Sequence, residues 1–301
     1  MVKLSIIVCT YNRDAYILKT LSNLKNQSIN NENYEVIIIN NNSTDTTEKI
    51  CKNFITELNF INFYYFNEDK QGLSFARNRG IKESNGELIA FIDDDAIACK
   101  DYCENIISFF ENDEETQAIG GKITPEYENN KPVWMSKYLL PLVAGLDMGD
   151  KIKEFRFSKF PIGANMAFRK SVFEKYGFFN ESLGRIGSKL EGGEEKDMIF
   201  RLKKDNQKIK YVPQVHVYHF IPDKRLQQDY IKSQAIGVGT SEKKRLHKAS
   251  IIVWIKKILL EFLKVIGTLI FSLYYFIIFE YAKAFMLLRI RIWIIKGFFT
   301  H

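Results

Sequence analysis

ELIAFIDDDA, residues Glu87 to Ala96, decides the architecture: an apolar run that ends in three adjacent carboxylates, Asp93, Asp94 and Asp95. Apolar on both faces, the run reads as a strand covered on both sides of its sheet. Three earlier runs are of the same kind: Leu4 to Thr10 (LSIIVCT), Glu35 to Asn40 (EVIIIN) and Ile61 to Phe66. Between them Asp14 to Gln27, Thr44 to Leu58 and Gly72 to Ser84 carry a helical period. The alternation predicts an α/β fold, with a Rossmann-like, mostly parallel sheet flanked by helices. Such sheets bind ligands beyond the carboxyl ends of their strands, where Thr10 to Arg13, Asn40 to Ser43 and Asp93 to Asp95 all fall.

Downstream the pattern loosens. Thr116 to Pro161 holds one strand-like piece, AIGGKI, among Pro125, Pro132 and Pro141, and reads as a less regular wall of a cleft. Asn165 to Arg169 and Lys210 to Val217 read as strands and Ser171 to Tyr176 as a short helix. Glu194 to Asp205 reads as an amphipathic helix with Met198, Ile199 and Leu202 inward. Ala249 to Phe299 is helix-compatible and strongly apolar; between Lys264 and Arg289 only Glu280 and Lys283 carry charge, three apart on one helix face.

The chain has 301 residues and a net charge of +7, unevenly placed. From Ser241 to His301 there are 11 Lys or Arg against 3 Glu, and the remainder is close to neutral. A nucleic-acid binder carries its charge on the working domain. Here the charge lies with an apolar tail, which points to an anionic membrane surface and excludes nucleic acid as the expected partner. The four cysteines, Cys9, Cys51, Cys99 and Cys103, form neither a zinc pattern nor a disulfide framework, so reduced thiols in a cytosolic compartment are expected. No signal peptide is predicted at the N-terminus.

Four constellations carry chemistry. Three carboxylates at the end of a buried strand repel one another unless a cation offsets them, and hard oxygen ligands suit Mg²⁺ or Mn²⁺. Gly193-Glu194-Glu195-Lys196-Asp197 opens a helix; acids there complement the helix dipole, and one of them is a candidate base for a hydroxyl proton. Arg77 and Arg79, in GLSFARNRG (Gly72 to Gly80), offer forks that match a diphosphate, or else a solvated helix face. His216 and His219 point to opposite faces of a strand, so at most one joins an ion. His216 is expected to be structural, whereas His219 is a candidate ligand.

CTYNR (Cys9 to Arg13), NNNSTD (Asn40 to Asp45), GLSFARNRGI, FIDDDA, GANMAFRK (Gly163 to Lys170), LGRIG (Leu183 to Gly187) and GGEEKDMIFRL (Gly192 to Leu202) occur in order. In this combination the chain resembles the family 2 glycosyltransferases of the GT-A fold, over roughly residues 3 to 240, and is most similar to a bacterial surface-polysaccharide subgroup. The resemblance implies that Thr10, Tyr11 and Asn12, with Arg13 beside them, line the nucleotide. It implies that Asp94 contacts ribose or sugar, that Asp95 binds the metal helped by Asp93 and His219, and that Glu195 is the general base with Glu194 before it. The family often has two Asp where Asn40 and Asn41 stand, the second accepting a uracil N–H; Asn41, placed among the donor-binding residues, can accept through its amide oxygen but without charge, so the nucleotide stays open.

The implied activity is metal-dependent, inverting transfer of a sugar from a nucleotide-diphosphate donor to a glycan or lipid-linked acceptor, with Arg77 on the diphosphate. A nucleotidyltransferase would want a glycine-rich basic loop where TYNRDAY stands, and a binding module without turnover would not need the acidic run and Glu194-Glu195. Residues 1–240 are expected to form the GT-A domain, 1–115 the nucleotide-sugar half and 116–240 the acceptor half. Residues 241–301 are expected to form a basic, apolar helical tail. The expected location is cytoplasmic, peripheral or monotopic at the inner face of the plasma membrane.

Overall fold

The computed structural model describes residues 2–58, 62–187, 190–246 and 250–300. The expected starts of the third strand at Ile61 and of the apolar tail at Ala249 lie outside the described residues. β1 (Leu4–Thr10), α1 (Ile17–Lys25), β2 (Tyr34–Asn40), α2 (Thr47–Leu58), β3 (Phe63–Asn67), α3 (Leu73–Glu83) and β4 (Leu88–Asp93) follow in turn. Then come β5 (Ala96–Ala98), α4 (Tyr102–Asn112), β6 (Thr116–Tyr127), β7 (Lys153–Glu154), β8 (Asn165–Arg169), α5 (Ser171–Tyr176), α6 (Glu194–Lys204) and β9 (Lys208–Ile221). Three helices close the chain: α7 (Gln228–Arg245), α8 (Ile251–Ile277) and α9 (Tyr281–Thr300).

The strands form one sheet in the order β3-β2-β1-β4-β8-β6-β9-β5, with β7 on β9. It is mixed, parallel through β3, β2, β1 and β4. Beyond β4 it turns antiparallel, at β4–β8, β8–β6 and β9–β5. The unbroken apolar runs follow from cover on both faces. Ile6, Val8, Val36 and Ile38 pack one way, with Leu21 and Leu24 of α1 and Ile106 of α4. Their neighbours Ile7, Ile37, Ile39, Ile89 and Phe91 pack the other way, with Ala76 and Ile81 of α3 and Met198, Ile199 and Leu202 of α6. The period of two thus sorts into two cores, each fully buried side chain contributing roughly 1.5–3 kcal/mol.

Two features differ from the sequence-based expectation. α1 and α2 begin later than Asp14 and Thr44, because the preceding residues bond to each other rather than wind: Thr46 Oγ1 donates to Asp14 and the Asp14 N–H to Asp45. β9 runs on past Val217 to Ile221, and that extension carries His219.

The chain divides into two compact units. One comprises 1–126, 144–187 and 194–220 and contains both cores just described. The other comprises 127–143, 188–193 and 221–301. Its own core explains the extra segment, since Met135, Leu139 and Val143 pack with Ile231 and Ala235 of α7, Tyr275 of α8 and Leu287 and Ile290 of α9. By length and composition α8 is long and apolar enough to cross a membrane.

Candidate active site

The acidic run sits where the sheet order predicts, in the turn from β4 into β5. β5 pairs antiparallel with β9 so that Ala96 lies opposite His219, and the Phe220 N–H donates to the Asp95 carbonyl at 3.0 Å. This register delivers His219 to the aspartates. Its Nε2 lies 2.9 Å from Asp95 Oδ1 and 3.6 Å from Asp93 Oδ2. Ligand atoms of Asp93, Asp95 and His219 all lie within 4.8 Å of one another, so the three residues expected to hold a metal are together. Asp95 and His219 are buried, while the Asp93 side chain is 37% exposed. His216, as expected, is committed elsewhere, 2.8 Å from Thr124 Oγ1.

Arg13 supplies a cation to this cluster. Its Nε lies 3.3 Å from Asp94 Oδ1 and its Nη2 3.6 Å from Asp95 Oδ2. Burial pushes the Asp94 carboxyl up to about 7, Arg13 pulling against it and the charge of Asp95 adding to it. Burial outweighs the neighbouring charges in disfavouring the ionised form, and an added cation would favour it.

Around the strand ends, Thr10 is buried and the Tyr11 side chain stands partly open. Asn12 adopts a left-handed backbone (φ 52°), and its Oδ1 accepts from the Thr44 N–H at 2.8 Å. Asn12 therefore ties the loop after β1 to the loop after β2. Asn41 departs from its expected role. It is buried, its amide nitrogen donates to the carbonyls of Glu68 and Lys70 (3.0 and 2.8 Å), and its oxygen accepts from Gly72 N–H at 2.7 Å. The oxygen assigned to a uracil thus already accepts from the chain's own backbone.

Arg77 departs as well. Rather than facing an open site it is buried, and its Nη1 lies 2.6 Å from Glu194 Oε1. The guanidinium lies over the rings of Phe91 and Phe179, 5.7 and 5.6 Å from their centroids. Gly163 makes room for it, since a Cβ there would stand 2.2 Å from Nη2. That close approach accounts for the glycine of GANMAF, a link the sequence alone did not reveal.

Glu194 and Glu195 open α6. Glu194 is buried and Glu195 half-buried, and one carboxyl oxygen of each has no hydrogen-bond partner. Burial, and then the charge of Glu194, push the Glu195 carboxyl up to about 8, while Arg77 draws it down. The two carboxylate groups share one electrostatic neighbourhood. Arg77 feels Glu194, Glu195 and Asp93, and the Cys9 thiol, opposite Asp93 in the β1–β4 register, feels Arg77, Asp93, Asp94 and Glu194. The site therefore combines a cluster fit for a divalent cation with a half-buried carboxyl whose proton affinity is raised into the neutral range, as a base needs.

Comparison with known proteins gives the family and the fold. Residues 5–177 match the family described as Glycosyl transferase family 2. A glucosyl-dolichyl phosphate glucuronosyltransferase of Haloferax volcanii is 26% identical over 247 residues, covering 80% of this chain and 76% of its own length. A GalNAc(5)-diNAcBac-PP-undecaprenol beta-1,3-glucosyltransferase of Campylobacter jejuni is 28% identical over 186 residues, covering 61% of this chain and 57% of its own length. Among solved structures, the mannosyltransferase PcManGT from Pyrobaculum calidifontis, in complex with GDP-Man and Mn²⁺, superposes with a TM-score of 0.60 at 18% identity, covering 82% of this chain and 64% of that one. That likeness establishes the fold.

Proposed function

The chain belongs to glycosyl transferase family 2 and is a glycosyltransferase, and from that premise we propose that it moves a sugar from a nucleoside-diphosphate donor to a glycan or lipid-linked acceptor with inversion at the anomeric carbon. The observation that supports this reading is the grouping of Asp93, Asp95 and His219 at the end of β4, with Arg77, the partner of Glu194 at the start of α6, lying over Phe91 of that same strand.

Asp93, Asp95 and His219 fit a divalent cation such as Mn²⁺ or Mg²⁺ by donor type and by their mutual spacing, and are its proposed ligands. Bound there, the ion would offset charge on the diphosphate as it departs. Thr10, Tyr11, Asn12 and Arg13 line the nucleotide, with Asp94 toward the ribose or sugar. Glu195 takes the proton of the acceptor hydroxyl as its oxygen forms the new bond to the anomeric carbon and the diphosphate leaves from the opposite face. Glu194 is the buried partner of Arg77 beside it. Both named relatives act on lipid-linked sugars, which supports a lipid-linked acceptor here. The proposed location is cytoplasmic, with the helical tail attached peripherally or monotopically at the anionic inner face of the plasma membrane.

The test is product analysis. Incubation with nucleotide sugars, a divalent cation and a lipid-linked acceptor should yield the glycosylated acceptor and a free nucleoside diphosphate, with the new anomeric centre inverted by NMR. Retention of configuration, or transfer of nucleotide instead of sugar, would refute it.

A further inference from the structure

α8 is amphipathic the wrong way round for water. A helix on a soluble protein turns its apolar stripe inward and its polar face outward. In α8 the stripe turned toward α7 and α9 is the polar one. Lys257 is 7% exposed and pairs with Glu242 of α7 and, at 2.9 Å, with Glu261. Arg291 of α9 reaches Glu261 at 3.3 Å and Thr268 at 3.2 Å, and Ser272 donates to the Ala284 carbonyl at 3.2 Å. Outward, α8 exposes eighteen residues, of which Lys256 alone is charged and all others but Tyr274 are Ile, Leu, Val or Phe. Such an arrangement satisfies its polar groups internally and presents hydrocarbon to its surroundings, as structure does in an apolar medium.

Charge identifies the medium. Glu242 and Glu261 are enclosed in the polar seam, and Glu280 pairs with Lys283 at 2.7 Å. Among the described residues, the charged residues that α8 and α9 expose are Lys256, Arg289 and Lys296, all basic. A second copy of the chain would bring cations against cations. A bilayer with anionic headgroups complements them.

The helix packing sets the orientation. α9 runs back along α8, as the Thr268–Arg291 and Ser272–Ala284 contacts show. Its other side lies hard against α7: a Cβ on Gly239 would meet the Ile294 carbonyl oxygen at 2.1 Å, and one on Gly297 the Ile236 oxygen at 2.0 Å. The polar residues that α7 exposes are Gln228, Asp229, Lys232, Ser233 and Lys244, beside one apolar residue, Val238. If α8 crossed a bilayer in this packing, it would draw those polar groups into hydrocarbon.

We propose that α8 lies in the plane of an anionic bilayer, sunk to the boundary between headgroups and acyl chains, with α9 behind it and α7 in water. This rests on the reading of the tail as attached to an anionic membrane surface and gives it an orientation and a depth.

The test uses the full chain and vesicles of phosphatidylcholine with and without phosphatidylglycerol. Flotation should require phosphatidylglycerol. The Lys256→Gln/Arg289→Gln/Lys296→Gln variant should weaken partition roughly 100-fold, at roughly fivefold per cation. Leu259→Asp/Leu263→Asp should abolish it, with circular dichroism confirming that both variants fold. Nitroxides at positions 252, 263 and 273 should report one shared depth by collisional oxygen accessibility. Depth that passes through the bilayer centre from 252 to 273 overturns the in-plane orientation while sparing membrane attachment. Equal binding to both vesicle types overturns the anionic preference. Absence of all vesicle binding, with a dimer by light scattering, overturns attachment itself and leaves the sugar-transfer reading, measured on soluble product, standing.

Discussion

As the proposed base, Glu195 has to be ionised when an acceptor hydroxyl arrives, yet burial and Glu194 favour its protonated form and raise its pKa to about 8. The sign of the pH dependence follows. The ionised fraction, and with it the rate of transfer, grows as pH rises through the neutral range instead of reaching its plateau near the ordinary carboxylate value. Glu194→Gln removes the neighbouring charge and leaves Arg77 uncompensated, and both changes lower the Glu195 pKa. A pH–rate profile of that variant should show its acid limb displaced toward lower pH. Asn41 makes a second prediction at this scale. Its amide nitrogen donates to two backbone carbonyls, so Asn41→Asp sets a carboxylate against both. The expected loss is about 1–3 kcal/mol, visible as a lowered Tm.

At the scale of elements, the Arg77–Glu194 pair joins α3 to α6 across 117 residues of sequence, with both side chains almost wholly enclosed. Arg77→Met strands the glutamate without its partner and should cost about 3–5 kcal/mol. The double variant Arg77→Met/Glu194→Met removes both charges and should recover most of that stability, which denaturant unfolding of the two variants would establish. Long sequence separation also explains what could not be read in advance. The four parallel strands and α1 to α3 were legible because each apolar run declares its own burial. Asp93, Asp95 and His219 were legible as candidates by residue type. Their union depends on β5 pairing with β9, which no local spacing announces. The commitments of Arg77 to Glu194 and of Asn41 to the backbone near Gly72 were illegible for the same reason. The polar stripe of α8 was different, since Lys257, Glu261, Lys264, Thr268 and Ser272 recur every three or four residues in plain view.

For the molecule as a whole, the asymmetry of charge first seen in composition acquires a structural meaning. The positive excess of residues 241–301 is not spread over a solvated face. Two of its three acids, Glu242 and Glu261, are drawn inward, the third, Glu280, pairs with Lys283, and its exposed charges on α8 and α9 are cations. The catalytic reading belongs to the other unit and stands or falls separately, on whether Asp95 and Glu195 serve one reaction from its two sides. Calorimetric binding of a nucleoside diphosphate in the presence of Mn²⁺, measured beside sugar transfer in Asp95→Ala and Glu195→Gln, addresses this most directly. Asp95→Ala should lose the metal-dependent part of binding together with transfer, and Glu195→Gln should bind as the wild type does while transfer falls by roughly 10²–10⁴-fold. Wild-type transfer in Glu195→Gln, or metal-dependent binding undiminished in Asp95→Ala, would contradict the account.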